Sequence, residues 1–263
     1  MNIFMYVLFG LPCLLLLIQS FAFDWRWPAM LPQVLSLRAW QVVFSEVSLW
    51  PVLGTTFLIG CLVVVLNLVL ALPAGKALAH HDFRGKTMLE LFLLLPILIP
   101  TLAVAMGIFL VMLRLGLTDK LTGVVLVQLI PTLPYSIRIF RAAFESLGVK
   151  WEEQAKTLGV NPGKVWLTVW LPMLVPSINN AAMLAFLISL SQYALTAIIG
   201  GGSVATLPML YFPYFEAANR AVTAAFTILF AVLPLCFFLL LRLALRLLVP
   251  NSTTVRGLED GLF

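Results

Sequence analysis

Long apolar stretches alternate with short polar ones along most of this chain of 263 residues. An α-helix rises about 1.5 Å per residue, so roughly 20 apolar residues cross the hydrocarbon layer of a bilayer. Six stretches come close to that length, and we expect each to form one transmembrane helix. They are Ile3–Phe23, Val52–Leu72, Met88–Leu113, Thr122–Ile139, Ile178–Ile199 and Val222–Leu245.

The composition is that of a membrane protein. Hydrophobic residues make up 62% of the chain, charged residues make up 10%, and the mean hydropathy is +1.07. We therefore predict an all-α, polytopic membrane protein with six transmembrane helices. The first helix is expected to remain as a spanning helix, because no Lys or Arg precedes it and no A-x-A-like cleavage site follows. The three cysteines form no CxxC pair and indicate neither a disulfide nor a metal site.

The distribution of Lys and Arg predicts the orientation. Six crossings put both termini on one side, and a cytoplasmic N-terminus places eleven of the 16 basic residues in inner segments. The eleven are Lys76, Arg84, Lys86, Arg138, Arg141, Lys150, Lys156, Lys164, Arg242, Arg246 and Arg256. Because cytoplasmic loops carry the excess of Lys and Arg, we expect both termini in the cytoplasm. The basic residues do not form one block with interleaved aromatics, so no nucleic-acid partner is expected.

The stretch HHDFRGKT, residues 80–87, contains fragments of two motifs that both fail. A phosphate-binding loop requires Gly at the position of His80 and a preceding strand, so we reject nucleotide binding. Two adjacent His residues do not face one another on a helix, which argues against a metal site. We interpret the stretch as a solvated, basic cytoplasmic turn. Glu90 is expected either to extend its carboxylate to the membrane interface or to pair with Lys86 four residues earlier. No nucleophile has a base beside it, so the chain is predicted not to be an enzyme.

The stretch EEQAKTLGVNPGKVWLTVWLPML, residues 152–174, is polar and punctuated by Gly and Pro. Its pattern predicts two short helices joined by a turn, lying at the membrane surface or in a partner's groove. Trp151, Ala155 and Leu158 form a narrow apolar stripe at helical spacing. Gly159 suits the end of the first helix, while Asn161 and Pro162 suit the N-cap and first position of the second. An ordinary interfacial loop is the alternative.

This stretch resembles the signature of the permease subunits of ABC importers, E-A-A-x-x-x-G-x9-I-x-L-P. Glu153, Ala155, Gly159, Leu171 and Pro172 match in register, whereas Gln154 replaces Ala and Val169 replaces Ile. The resemblance extends over roughly residues 50–248. Pro73–Ala79 with residues 83–86 looks like the first cytoplasmic loop of the family, and Leu133-Pro134-Tyr135 looks like the helix that leads into the signature.

The resemblance implies a bacterial inner-membrane, multi-pass permease subunit that forms half of a translocation path. A second permease, identical or homologous, would complete the path. Two cytoplasmic ATPase subunits would bind ATP and Mg, so this chain itself would hold no cofactor. An extracytoplasmic binding protein would deliver a small, usually charged solute. The five matching signature residues would then couple the helices to the ATPase through a cytoplasmic loop between helices 4 and 5.

Polar residues inside membrane helices are candidates for the translocation path. As a group, Gln128, Ser191 and Gln192 are our prediction, although such residues also join helices through hydrogen bonds. Ser189–Tyr193 and Thr206-Leu207-Pro208 resemble the subgroup of permeases that serve thiamine, ferric iron, polyamine and phosphonate importers. The residues do not choose among these solutes.

The resemblance divides the chain into a first helix with an outer interfacial segment (1–49), a permease transmembrane domain (50–249) and a short cytoplasmic tail (250–263). Two other classes remain open. One is a membrane-embedded enzyme or assembly factor whose amphipathic loop rests on the lipid surface. The other is a secondary transporter, against which the small number of intramembrane charges argues.

Overall fold

The computed structural model describes residues 3–22, 25, 32, 34–216 and 219–248, and these form helices and turns without strands. Apolar stretches satisfy their backbone groups within each helix, as a bilayer demands. The helices are α1 Ile3–Phe21, α2 Arg38–Ser45, α3 Leu49–His80, α4 Lys86–Leu98, α5 Thr101–Arg114, α6 Leu121–Leu147, α7 Lys150–Thr157, α8 Pro162–Val165, α9 Leu171–Leu190, α10 Tyr193–Gly200, α11 Leu207–Glu216 and α12 Arg220–Leu248. A π-helical turn, Trp166–Trp170, joins α8 to α9.

The chain divides into two compact units, which we describe separately. The first comprises Met1–Phe57 and Ala205–Leu235, and the second comprises Leu58–Val204 and Cys236–Phe263. In the first unit, a row of aromatic rings connects α1, α2 and α3, with successive centroids 5.7 to 6.3 Å apart. The row consists of Phe21, Trp40, Phe44 and Trp50. The Glu46 carboxylate accepts hydrogen bonds from the Ser48 and Tyr214 hydroxyls in the same unit.

The second unit is built around α6. This helix packs along α9 and also contacts α4, α5 and α10. Small residues permit close approach: a Cβ added at Gly60 of α3 would lie 2.5 Å from the Phe186 ring of α9. The apolar core contains Ile59, Val63, Ala105, Met112, Val124, Val125, Val127, Leu129, Leu195, Ile199 and Val204. Such close packing of small and branched side chains is typical of helix association in membranes.

Four helices of the described chain are long and apolar enough to cross a membrane: α3, α6, the continuous Pro162–Leu190 and α12 up to Leu247. The pair α4 and α5 gives a fifth if it is one broken span, since the helices meet at an angle of 107°. The described apolar part of α1, Gly10–Phe21, is shorter than a span. An all-α polytopic fold is therefore confirmed, whereas the count of six crossings stays a prediction.

Two predicted boundaries are wrong. Pro73–Ala79 was expected to be a loop, but α3 continues through it to His80. The fifth predicted span, Ile178–Ile199, instead begins at Pro162 and ends at Leu190, and α10 is a separate helix. Pro73–Ala79 combines helix-forming Ala and Leu residues with Pro and Gly, so its composition does not decide between a helix end and a loop. The proposed division at residue 50 stays a prediction, and the predicted tail, 250–263, lies outside the described residues.

Candidate functional site

Residues Lys150–Pro172, which we call the coupling segment, adopt a helix, a sharp turn and a second helix. Gly159 has φ +70°, and the Val160 N–H donates to the Ala155 carbonyl over 3.1 Å. This bond, spanning six residues, is the Schellman closure of a helix C-terminus. The Asn161 side chain then accepts the Gly163 N–H over 2.9 Å, with Pro162 at the first helical position. The local prediction of a Gly corner and an Asn-Pro helix start is confirmed.

The second helix of the coupling segment is not a separate short helix, as the sequence suggested. It runs through the π-helical turn into α9, and the Leu171 N–H donates to Trp166 O, five residues earlier. Pro172 has no N–H and would clash with the carbonyl of Thr168 in a regular α-helix. The wider turn directly before Pro172 accommodates this conflict. The segment is therefore continuous with a membrane-spanning helix.

The five signature residues differ in exposure. Ala155 is buried, Leu171 and Pro172 are half-buried, and Glu153 and Gly159 are exposed. The predicted apolar stripe is divided, because Trp151 is 50% exposed and Leu158 is 80% exposed. Only Ala155 of that stripe packs inward within this chain. Trp151 of α7 and Leu158 just beyond its end thus expose large apolar side chains, and the Glu153 carboxylate is exposed on another side of the helix.

The inner face of the coupling segment contacts Lys76, near the end of α3. The sequence did not indicate a role for this lysine in the coupling segment. The Lys76 ammonium lies 2.6 Å from the Glu152 carboxylate. It also lies 5.1 Å from the ring centroid of Trp170 and 5.4 Å from that of Trp166. Together with Pro162 and Val165, these residues line a cleft of about 60 Å³.

A group of aromatic side chains lies beneath this contact. The Phe144 ring of α6 lies edge-on to Trp170, with centroids 5.0 Å apart, and edge-on to Trp166 at 6.2 Å. The His80 ring packs against Phe144 and Trp170 at 5.7 and 5.9 Å. The interpretation of residues 80–87 as a wholly solvated turn is therefore wrong for His80. Among the described residues, no group of His, Cys, Asp and Glu is arranged to hold a metal ion.

Two ion pairs near this region differ from the sequence prediction. Lys86 pairs with Asp82 over 2.9 Å, not with Glu90. Glu90 instead accepts from Arg141 of α6 over 2.7 Å, and Arg141 also donates to Glu145. The hydrogen bond from Lys86 lowers the pKa of the Asp82 carboxyl. Both Asp82 and Glu90 lie four residues from Lys86, so helical spacing alone does not choose between them.

The predicted path residues lie in two different environments. Gln128 is buried in α6, accepts the Ser189 hydroxyl over 2.5 Å and donates to Thr196 Oγ1 over 3.0 Å. It therefore joins α6 to α9 and α10 by hydrogen bonds. Ser191 is exposed and Gln192 is half-buried at the break between α9 and α10. Their side chains donate to the same carbonyl, Ile188 O, at 2.8 and 3.1 Å.

A second polar contact, which the sequence did not predict, extends the hydrogen bonds of Gln128 to α3. The buried Asn67 amide of α3 donates to Thr132 Oγ1 of α6 over 2.7 Å, and Thr132 donates to Gln128 O over 2.9 Å. The Asn67 Oδ1 atom is buried without a hydrogen-bond partner in the structure. Asn67 is a polar residue in an apolar stretch, and no local pattern in the sequence connects it to Thr132.

The comparisons with known proteins agree with this architecture. The molybdate/tungstate transport system permease protein of Pyrococcus abyssi is 25% identical over 210 residues, covering 80% of this chain and 84% of that protein. The molybdenum transport system permease protein of Mycobacterium bovis is 31% identical over 160 residues. That alignment covers 55% of this chain and 61% of the relative. The arabinooligosaccharides transport system permease protein of Halalkalibacterium halodurans is 28% identical over 163 residues, covering 62% of this chain and 58% of that protein.

A solved structure supports the fold alone. It is a bacterial ABC transporter involved in the import of the acidic polysaccharide alginate, with a TM-score of 0.70 at 18% identity. The match covers 91% of this chain and 94% of that chain. None of the relatives named above is named for thiamine, iron, polyamine or phosphonate transport, the subgroup that the Ser189–Tyr193 stretch resembles. Two of the three are instead named for molybdenum or molybdate/tungstate transport systems.

The family model for binding-protein-dependent transport system inner membrane components matches residues 67–250. Members of this family are non-catalytic, multi-pass subunits of the inner membrane, and ATP hydrolysis resides in a partner chain. The match covers most of the chain and includes the coupling segment, the polar network and both helices of the bent pair. The chain therefore belongs to the binding-protein-dependent transport system inner membrane components and is a permease subunit of an ABC importer.

Proposed function

We propose that this permease forms half of the translocation path for a tetrahedral oxyanion of the molybdate and tungstate type. Relatives named for these solutes occur in Pyrococcus abyssi, Mycobacterium bovis and Escherichia coli, which supports this solute class over the oligosaccharide of the Halalkalibacterium halodurans relative. A second permease, identical or homologous, completes the path. An extracytoplasmic binding protein delivers the solute, and two ATPase subunits bind ATP and Mg.

The break between α9 and α10 is the part of the path that we assign to solute contact. A dianion requires hydroxyl and amide donors and no fixed negative charge at its route. Where the helix is interrupted, the Gln192 amide has a second hydrogen to donate, and the Ser191 hydroxyl can donate by leaving Ile188 O. The N-terminus of α10 adds a favourable dipole. Gln128 of α6 stabilises the two helix ends at this break through its hydrogen bonds with Ser189 of α9 and Thr196 of α10.

The coupling segment is the contact with the ATPase in this proposal, through Glu153, Ala155, Gly159, Leu171 and Pro172. Its exposed side chains include the apolar Trp151 and Leu158 on one side and the Glu153 carboxylate on another, which suits a groove that has an apolar floor and a basic rim. The continuous helix Pro162–Leu190 carries any displacement of that face into the membrane. This continuity is the observation on which the assignment rests.

The orientation follows from the basic residues: the coupling segment, both termini and eleven of the 16 Lys and Arg residues are cytoplasmic. Many large apolar side chains of α4 and α5 are exposed in the isolated chain. We assign this surface to lipid and to the second permease.

The test of the coupling assignment is purification of the permease with the ATPase encoded beside it. We expect Glu153→Lys and Gly159→Asp to abolish or strongly weaken the complex, whereas Lys86→Met, which changes a surface ion pair, leaves it intact. If both coupling-segment variants retained the ATPase and retained transport, the assignment would be wrong. Uptake that survives ATP depletion and needs no binding protein would instead support a secondary transporter.

The solute class is tested with the reconstituted complex of permease, ATPase and binding protein. Uptake of labelled molybdate should require ATP and should compete with unlabelled tungstate. Arabinooligosaccharide should not compete. Uptake or competition by the sugar in place of the oxyanions would overturn the assignment of the solute while leaving the permease class unchanged.

A further inference from the structure

Lys76 makes contacts with two parts of the coupling segment that are separated in sequence. Its ammonium pairs with Glu152 in the first turn of α7 at 2.6 Å, and it lies over the rings of Trp166 and Trp170 in the π-helical turn. The side chains of Lys76 and Glu152 are only 23% and 22% exposed. One cation near the end of α3 therefore connects α7 with the base of α9.

These contacts restrain a side chain that would otherwise be free. A lysine at the cytoplasmic end of a spanning helix normally extends its long side chain toward water. Here the faces of two indole rings attract the ammonium, and this attraction strengthens as water is excluded. Partial burial also protects the ion pair from the screening that makes an exposed pair weak.

The position of Lys76 on α3 is itself fixed. The preceding residue, Gly75, lies directly against α6, because a Cβ added there would be 2.6 Å from the Phe140 Cβ and 2.9 Å from the Arg141 backbone nitrogen. The end of α3 therefore has little freedom to move relative to α6. Trp170, one of the two rings beneath the ammonium, also packs against Phe144 of α6.

We propose that Lys76 is a positioning residue that holds α7 and the base of α9 against α3, so that a displacement of the coupling segment moves α3 and α9 together. The proposal rests on the coupling role given above and adds a second helix to the route. Without Lys76, α9 would still be driven through its continuous backbone, but α7 would move relative to α3. The ATPase cycle would then be only partly transmitted to the helices.

The experiment uses the full complex of permease, ATPase and binding protein in lipid nanodiscs, with hydrogen exchange and the ratio of solute transported to ATP hydrolysed as readouts. In Lys76→Met, we expect the ATPase to remain bound, and amide exchange in Glu152–Thr157 and Trp166–Trp170 to accelerate roughly tenfold. Transport per ATP should fall while ATP hydrolysis continues. Lys76→Arg should restore both, because a guanidinium pairs with a carboxylate and stacks on indole.

Two further variants make the test specific. Glu152→Gln should accelerate exchange in α7 and leave Trp166–Trp170 close to wild type, since the contacts of the ammonium with both rings remain. Lys86→Met is the matched control, with an ion pair to the exposed Asp82, and should change neither readout. If Lys76→Met folded poorly, the Glu152→Gln pattern alone would still decide the question.

The outcomes separate this inference from the function on which it rests. Wild-type exchange and wild-type transport per ATP in an assembled Lys76→Met complex would overturn the role of Lys76 only. If Lys76→Arg gave the same amide exchange and transport per ATP as Lys76→Met, the positive charge would have no role beyond packing, and the proposal would also be overturned. Retention of the ATPase by both Glu153→Lys and Gly159→Asp would instead remove the coupling assignment itself.

Discussion

The buried Ser189 hydroxyl of α9 donates to Gln128 Oε1 of α6, and the Gln128 amide donates onward to Thr196 Oγ1 of α10. Both ends of one side chain are thereby used to join three helices. A hydrogen bond between membrane helices contributes about 0.6 kcal/mol on average and up to roughly 1.7 kcal/mol. The network therefore stabilises the position of α10 relative to α6.

We predict that Gln128→Leu lowers the stability of the permease by about 1 to 3 kcal/mol, because it removes both hydrogen bonds and leaves two buried hydroxyls with fewer partners. The measurement is the apparent Tm of the detergent-solubilised complex.

The companion variant is Ser191→Ala, whose exposed hydroxyl bonds only within its own helix. It should keep the wild-type Tm while reducing oxyanion uptake. An unchanged Tm in Gln128→Leu would show that the network contributes no net stability.

The contact of Gly75 with Phe140 gives a prediction of a different kind. A methyl group at position 75 would meet backbone atoms of α6, which cannot move aside as a side chain can. Gly75→Ala should therefore separate α3 from α6 and destabilise the permease by roughly 1 to 3 kcal/mol, the usual cost of overpacking. The same Tm measurement checks it.

The control for Gly75 lies in the same helix. Gly54 is also in α3, but a Cβ added there has no heavy atom within 4 Å. Gly54→Ala should be neutral or should stabilise by up to about 1 kcal/mol, since Ala is the better helix former. If the two variants had the same Tm, the close α3–α6 approach would not limit stability.

The local sequence was sufficient to predict some helix ends and membrane-spanning helices, but not every break between helices. Gly159, Asn161 and Pro162 identified a helix end and a helix start because each acts on the backbone within a few residues. Long apolar stretches identified the α3 and α12 membrane helices by length alone. The break after Leu190 was missed, because a Ser-Gln pair is also tolerated inside a membrane helix.

Contacts between distant segments could not be predicted in this way. Lys76 and Glu152 are 76 residues apart, and their pairing depends on how α3 and α7 are rotated about their axes. Glu90 has a basic residue at helical spacing, yet it pairs with Arg141 because α4 packs on α6. Trp170, the last residue of the π-helical turn, is likewise fully buried against Phe144 of α6, a contact that the sequence around it does not indicate.

The Tyr214 phenol gives a pH-dependent prediction. Burial is the main cause that raises the pKa of Tyr214, and its hydrogen bond to the Glu46 carboxylate, 3.1 Å away, raises it further. A raised pKa means that folding favours the neutral phenol. This contribution to stability is complete below the unfolded-state pKa of about 10 and is lost as pH rises through the folded-state value.

An absorbance titration of phenolate formation tests this assignment. The difference between wild type and Tyr214→Phe should titrate above about pH 10. Glu46→Gln should shift the Tyr214 titration only part of the way back toward the ordinary tyrosine pKa, because burial, the larger cause, remains. A difference titration at or below the ordinary tyrosine value would contradict the raised pKa.

The last prediction concerns the corner of the coupling segment. Gly159 has φ +70°, and a Cβ added there would have no heavy atom within 4 Å. A substitution therefore strains the backbone without causing a steric clash. Gly159→Val should open the corner at a cost of about 1 to 2 kcal/mol and weaken ATPase binding in co-purification. Gly159→Asn should retain binding, because Asn tolerates this conformation and, unlike Asp, brings no charge into the apolar part of the groove. Gly116 is the matched control, with φ +64° and equally open space between α5 and α6. Gly116→Val has the same backbone cost and should leave ATPase binding intact, so equal loss in both Val variants would mean that general destabilisation, and not the corner, releases the ATPase.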